Sequence, residues 1–299
     1  MKPLVHWRSV PELGTALGVR LLTTTLRFGG RPLAAGLLWL ICWYYVATSA
    51  VAREASRALF ARLGEPFDWR RLHRHLWTFA RVTLDRTLFL SGETSGLTLE
   101  LHGHETVMAQ VQHGRGALLL GAHLGSFEAM RALAAHYDVP MLVVVDFHNA
   151  RRITATLRAD AEKERVRLLD LSPDDPLALL RVKEAIDRGE LVAMLGDRPT
   201  GREDRDVVAR FLGAPARFPG GPLLLASVLA CPVFFVCALF EPPRRYRVHC
   251  VPLFDRVELP RRERHAALTR HVERYARTLE DFTRAAPLNW FNFFPFWLP

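Results

Sequence analysis

The chain has 299 residues, 49% of them hydrophobic, which excludes a disordered protein and allows either one large α/β domain or two small ones with a real core. The formal net charge is +9 and the pI about 10, with arginine supplying nearly all of the excess; lysine occurs only at Lys2, Lys163 and Lys183. Such a balance favours anionic partners such as phospholipid headgroups or an acidic carrier protein, and the absence of any nucleic-acid motif argues against nucleic acid. The four cysteines (Cys42, Cys231, Cys237, Cys250) are scattered, without metal-ligand spacing or a disulfide framework, so neither metal nor cofactor is expected.

The stretch from Pro32 to Ala52, PLAAGLLWLICWYYVATSAVA, carries no charge and is long enough to cross a hydrocarbon core. Arg31 and Arg53 flank it, and Trp39, Trp43, Tyr44 and Tyr45 suit a membrane interface. A cleavable signal peptide fits poorly, because the run starts late and no clear cleavage site follows a short apolar core. Residues 1–56 are expected to form a membrane-anchoring helical segment, either spanning or in plane. A buried helix of a globular protein remains the alternative. Residues 57–299 are expected to form the α/β domain.

Residues 53–90 read as helix, with Leu72, Leu76, Phe79 and Thr83 on one face and Arg70, Arg71, Arg74, Arg81 and Arg86 elsewhere. From residue 97 the pattern alternates. Strands are expected at 97–103, 116–123, 140–147, 191–197 and 232–240, the last forming a hairpin with 246–254. Helices are expected at 126–136, 150–164, 176–188, 219–230 and 261–284. The order implies a mixed, largely parallel sheet covered by helices.

The segment GALLLGAHLGSFEAM (116–130) ends a buried strand in His123 and starts a helix before Glu128. The C-terminal edge of such a strand is where α/β proteins place ligands. Gly125 permits close backbone approach, and the amides around Gly125 to Phe127 would lie at a helix N-terminus. With His123 in the turn and Glu128 in the first helical turn, the carboxylate can hold the imidazole in one tautomer, the supporting role an acid plays beside a general base. His-x4-Glu alone is a weak signal, since two common residues match often, and a histidine after a strand is more often structural. Ser126 lies outside a G-x-S-x-G elbow, and no zinc or dinucleotide motif is present.

GAHLGSFEAM resembles the H-x4-D/E block of the glycerolipid-type acyltransferases, more specifically the lipid A late-acyltransferase (lauroyl/myristoyl) family. Further elements agree in order: Trp7 with ELG (12–14), GGR (29–31) followed by an apolar helix, AREASRALFARLG, GELVAMLGDRPTG (189–201), and FLGAPARFPGGPLLLASVLACPVFFV (211–236). The ending PLNWFNFFPFW (287–297) resembles a subgroup associated with aryl polyene and xanthomonadin-type pigment lipids. The resemblance implies acyl transfer from an acyl thioester, on acyl carrier protein or coenzyme A, to a lipid hydroxyl at the bacterial inner membrane, with the site facing the cytoplasm. His123 would be the general base and Glu128 its orienting partner. The oxyanion would be received by the Gly125–Ser126 amides or by an arginine. Asp197 and Arg198 match the family's second acidic block and would help bind substrate; Arg151 or Arg167 would be its additional arginine. Alternatives are a pigment-lipid or lysophospholipid acceptor, or a non-catalytic lipid- or carrier-binding protein on the same fold.

Overall fold

The computed structural model describes residues 16–90, 96–145, 166–170, 177–202 and 204–298. The expected helix at 150–164, Trp7, the ELG element and Arg151 lie outside these residues.

Helix α1 (Ala16–Thr48) is broken at Gly30, whose φ of 69° and ψ of −179° are not helical. Ser49 caps α2 (Ala50–Arg62), its hydroxyl accepting from the Ala52 amide at 3.3 Å. Gly64 follows α2 with φ +70°, and the Glu65 amide closes back on the Phe60 carbonyl. Asp68 then caps α3 (Trp69–Leu90) by accepting from the Arg71 amide. The single helix expected over 53–90 is therefore two, separated by a turn that LGEPFD encodes with glycine and proline. Among the described residues no single helix is long and apolar enough to cross a membrane. The pair Pro32–Thr48 and Ala50–Arg62, bent by 89°, meets that test only together. The boundary expected at residue 56 falls inside α2, where Leu59 and Phe60 join the core of the sheet domain and Ser56 is hydrogen-bonded to His75 of α3.

The remaining elements are β1 (Thr98–His102), α4 (His104–Gln112), β2 (Ala117–Gly121), α5 (Phe127–His136), β3 (Met141–Val145), β4 (Val166–Asp170), α6 (Ala178–Asp187), β5 (Leu191–Leu195), β6 (Asp206–Phe211), β7 (Ala214–Pro219), α7 (Gly221–Leu229), β8 (Val233–Glu241), β9 (Arg245–Phe254) and α8 (Arg264–Ala285). Seven strands form one sheet in the order β1-β9-β8-β2-β5-β3-β4, and β6–β7 form a separate hairpin. Pairing is parallel throughout the large sheet except between β8 and β9. The mixed, largely parallel architecture expected from the alternation is the one observed.

Strand β2 is buried along its whole length because both faces are covered. Alternate side chains go to opposite layers. Leu118 and Leu120 enter a core with Val182 of α6, Leu223 of α7 and Tyr275 of α8. Ala117 and Leu119 enter a second core with Leu76 of α3, Val107 of α4 and Met130 of α5. This three-layer packing makes β2 and its neighbour β5 the rigid centre of the molecule, and the site is built on their C-terminal ends.

Candidate functional site

Strands β2 and β5 pair in parallel with Gly121 opposite Leu195, so two residues on, His123 stands opposite Asp197. The Gly196 amide extends the pairing by donating to the Gly121 carbonyl at 3.0 Å, and the Tyr275 hydroxyl donates to the same carbonyl at 2.8 Å. At that edge His123 Nδ1 lies 2.9 Å from Asp197 Oδ1, while the His123 amide donates to Asp197 Oδ2 at 3.1 Å. An ionised carboxylate only accepts, so Nδ1 carries the proton and Nε2 is left as the lone-pair nitrogen of the neutral ring.

The electrostatics hold this arrangement. Burial raises the Asp197 carboxyl, but His123, Arg198 and the Asn292 amide outweigh that penalty and bring it down to about 2. Burial lowers the His123 imidazole, and the charge of Arg198 lowers it further against the opposing pull of Asp197 and Glu128. His123 is therefore neutral at physiological pH. Asp197 is fully buried, whereas the His123 side chain keeps 27% of its surface.

The sequence-based assignment of the orienting acid changes. Glu128 lies in the first turn of α5, and its carboxylate is bonded 2.7 Å from Arg86 Nε of α3. The carboxylate hydrogen-bonded to His123 is Asp197, which comes from the neighbouring strand rather than from the same turn. Glu128 still acts on His123 through its charge.

The Gly125 and Ser126 amides are also not available as oxyanion donors. Gly125 N–H donates to the Asn289 carbonyl at 2.9 Å, and Ser126 N–H donates to the Ala238 carbonyl at 2.8 Å. The Ser126 hydroxyl accepts from the Ala129 amide at 3.1 Å and so caps α5. Gly125 is required by its backbone: φ is +72°, and a Cβ there would meet the Ala238 oxygen at 1.9 Å. These residues build the turn that presents His123.

Arg198, immediately after Asp197, donates from Nε to Asn292 Oδ1 at 3.0 Å and lies 5.9 Å from the Phe294 ring centroid. It is the cation beside the His–Asp pair. Arg167 sits at the other end of the strands: Leu142 of β3 pairs with both Arg167 and Val192, near the N-terminal edge, and the guanidinium pairs with Glu190. The structure does not bring it to His123, which stands at the opposite ends of the strands.

Two contributors escaped the sequence reading. Arg86 comes from α3, an amphipathic helix whose arginines read from the sequence as a solvated face or as phosphate contacts near a membrane. Asn292 lies in the aromatic ending, where asparagine reads as a turn residue. Instead it is buried and donates from Nδ2 to Asp197 Oδ2 at 2.7 Å. The ending runs beside the turn that holds His123: Leu124 bridges to Trp290, and the Phe291 amide donates to the His123 carbonyl at 2.8 Å.

Among the described residues no group of histidines, cysteines and carboxylates could hold a metal ion. A neutral histidine with a fixed tautomer, a buried carboxylate behind it and an arginine beside it can accept a proton from a hydroxyl and steady developing negative charge. Comparison with curated proteins returned no match. The family model for the bacterial lipid A biosynthesis acyltransferases matches residues 17–298, nearly the whole chain, and the protein belongs to that family.

Proposed function

We propose that this acyltransferase moves a fatty acyl group from a thioester to a hydroxyl of a lipid A-type acceptor, with His123 as general base and Asp197 as the carboxylate that orients it. The observation that carries this reading is the 2.9 Å contact between His123 Nδ1 and a fully buried carboxylate at the end of the central strands. The acceptor hydroxyl gives its proton to Nε2 as its oxygen attacks the thioester carbonyl. The tetrahedral oxyanion is received by Arg198. Collapse breaks the C–S bond, and the proton on His123 passes to the departing thiolate. Asp197 stabilises the imidazolium formed between the two steps. Glu128 adds negative charge in the same sense and, through Arg86, ties α5 to α3.

The donor is acyl carrier protein, whose acidity suits a chain of net charge +9, or coenzyme A. The chain works at the bacterial inner membrane, on its cytoplasmic side, attached through the apolar N-terminal helices. A second acceptor, an aryl polyene or xanthomonadin-type pigment lipid, is supported by the resemblance of the ending PLNWFNFFPFW to the subgroup associated with those lipids.

The test is thiol release from lauroyl-acyl carrier protein in the presence of lipid acceptors, with product lipids identified by mass spectrometry. His123→Ala and Asp197→Asn are expected to lose at least about a thousandfold in rate while remaining folded. A folded His123→Ala protein with full activity would sink the reading. Lipid profiles of cells lacking the protein, with and without complementation, separate the acceptors.

A further inference from the structure

Asn292 makes two side-chain contacts, one to Asp197 and one to Arg198, both charged neighbours of His123. Its Nδ2 donates to Asp197 Oδ2 at 2.7 Å, and its Oδ1 accepts from Arg198 Nε at 3.0 Å. A carboxylate can only accept and a guanidinium can only donate, so the amide has a single orientation that satisfies both. Neither a carboxylate nor an ammonium could replace it without placing like charge against one neighbour. The backbone beside it is equally constrained, because the Phe291 amide donates to the carbonyl of His123 itself. The C-terminal segment thus grips the catalytic turn by its main chain and the two charged groups by one side chain.

Resting on the acyl-transfer reading above, we propose that Asn292 is a positioning residue, acting through Asp197 and Arg198 to fix the orientation and basicity of His123. Its amide divides Asp197's hydrogen bonding between His123 and itself. It also holds Arg198 where that positive charge disfavours the imidazolium. Removing the amide takes away both of these contacts, and both changes favour the protonated ring. The expected sign is therefore a more basic His123, protonated at a pH where the parent enzyme is still neutral and active.

The test uses the full-length protein in detergent micelles, labelled with 15N-histidine, with the His123 ring signal assigned from His123→Asn. Asn292→Leu keeps the side-chain shape and leaves Asp197 its bonds from the His123 ring and amide. It is expected to raise the His123 titration midpoint by about one pH unit. The acid limb of kcat in thiol release from lauroyl-acyl carrier protein should move by the same amount, with KM unchanged. Should Asn292→Leu not accumulate, Asn292→Ser supplies the same comparison, since it cannot make both contacts. An unmoved midpoint in folded variants overturns the proposal, as does a change confined to KM. A moved midpoint in a protein whose thiol release does not depend on His123 would uphold the positioning role and defeat the acyl-transfer reading instead.

Discussion

The chain has two aromatic clusters, one in the N-terminal helices and one at the C-terminal end, and in the sequence they look alike. In the fold they are opposites. Trp290, Phe291, Phe293, Phe294, Phe296 and Trp297 are all buried, and the Trp297 indole donates to the Phe211 carbonyl at 2.8 Å. In the N-terminal helices Leu33 is 61%, Leu40 60% and Tyr44 63% exposed. The difference follows from where the polar atoms between the aromatics go. In the C-terminal cluster, Asn289 bonds the Phe240 amide and carbonyl, and Asn292 bonds the site. A cluster whose amides all find partners inside the protein belongs to the core. The N-terminal stretch is tied to α3 on one side, where His73 Nε2 lies 3.1 Å from the Trp39 carbonyl and the His73 ring stacks on Trp43, and leaves an apolar face on the other side with little protein over it.

The largest expected effect comes from cutting into the buried cluster. Trp290 is 1% exposed, packs on Phe211 and Phe296 with ring centroids 5.2 Å away from each, and bridges to Leu124 next to His123. Trp290→Ala should cost about 4 kcal/mol in chemical denaturation and remove acyl transfer with it. A loss under about 0.5 kcal/mol would erase the contrast between the clusters.

A second effect of similar origin depends on pH. His75 of α3 is buried between the Phe60 and Phe293 rings and is hydrogen-bonded to the Trp290 carbonyl and the Ser56 hydroxyl. Burial lowers its imidazole from the ordinary 6.5 to about 4, against the smaller opposing pull of the Trp290 carbonyl. The unfolded chain therefore takes up a proton that the folded chain refuses. The stability contributed by neutral His75 is complete above about pH 6.5 and is lost as pH falls towards 4. The loss over that window is about 3 kcal/mol. Unfolding free energies at pH 7 and pH 4 should show it in the parent chain. His75→Gln, which keeps a donor for the carbonyl, should reduce the acid loss by that amount. Equal acid sensitivity in both proteins would show that His75 takes up its proton as readily in the folded chain as in the unfolded one.

Much of the scaffold was legible because the central strands are covered on both faces and so read as unbroken apolar runs, as ALLLG and VFFVCALF do. The elements that escaped lack that signature. β4 is VRLLD, with Arg167 exposed. The β6–β7 hairpin carries Arg210, Pro215, Arg217 and Pro219 and reads as loop, although its two-residue turn, Leu212 with φ 51° and Gly213 with φ 79°, has the doubly positive signature of a hairpin turn. His123 and Asp197 were each visible as strand-end residues in GALLLGAH and ELVAMLGD. Their pairing was not, because proximity in sequence favoured Glu128. Only the register of two strands far apart in the chain brings Asp197 level with His123, and only tertiary packing brings Arg86 to Glu128 and Asn292 to Asp197.

The smallest effect on the fold, and the sharpest test of the contrast, lies in the exposed cluster. Leu33, Leu40 and Tyr44 recur at spacings that place them on one side of the Pro32–Thr48 helix. Little protein covers them, so replacing all three with serine should change unfolding free energy by no more than about 0.5 kcal/mol per site. On the membrane attachment proposed above, the same change removes apolar surface from the contact with lipid. At about 1 kcal/mol for each half-exposed side chain, the triple variant should bind vesicles on the order of a hundredfold more weakly. Vesicles of anionic and zwitterionic lipid separate this apolar contribution from the attraction of Arg53, Arg70 and Arg74 to charged headgroups, which added salt should weaken while leaving the apolar part intact. If the triple variant unfolds several kcal/mol more easily and binds vesicles as before, the N-terminal aromatics are core after all, and the two clusters are of one kind.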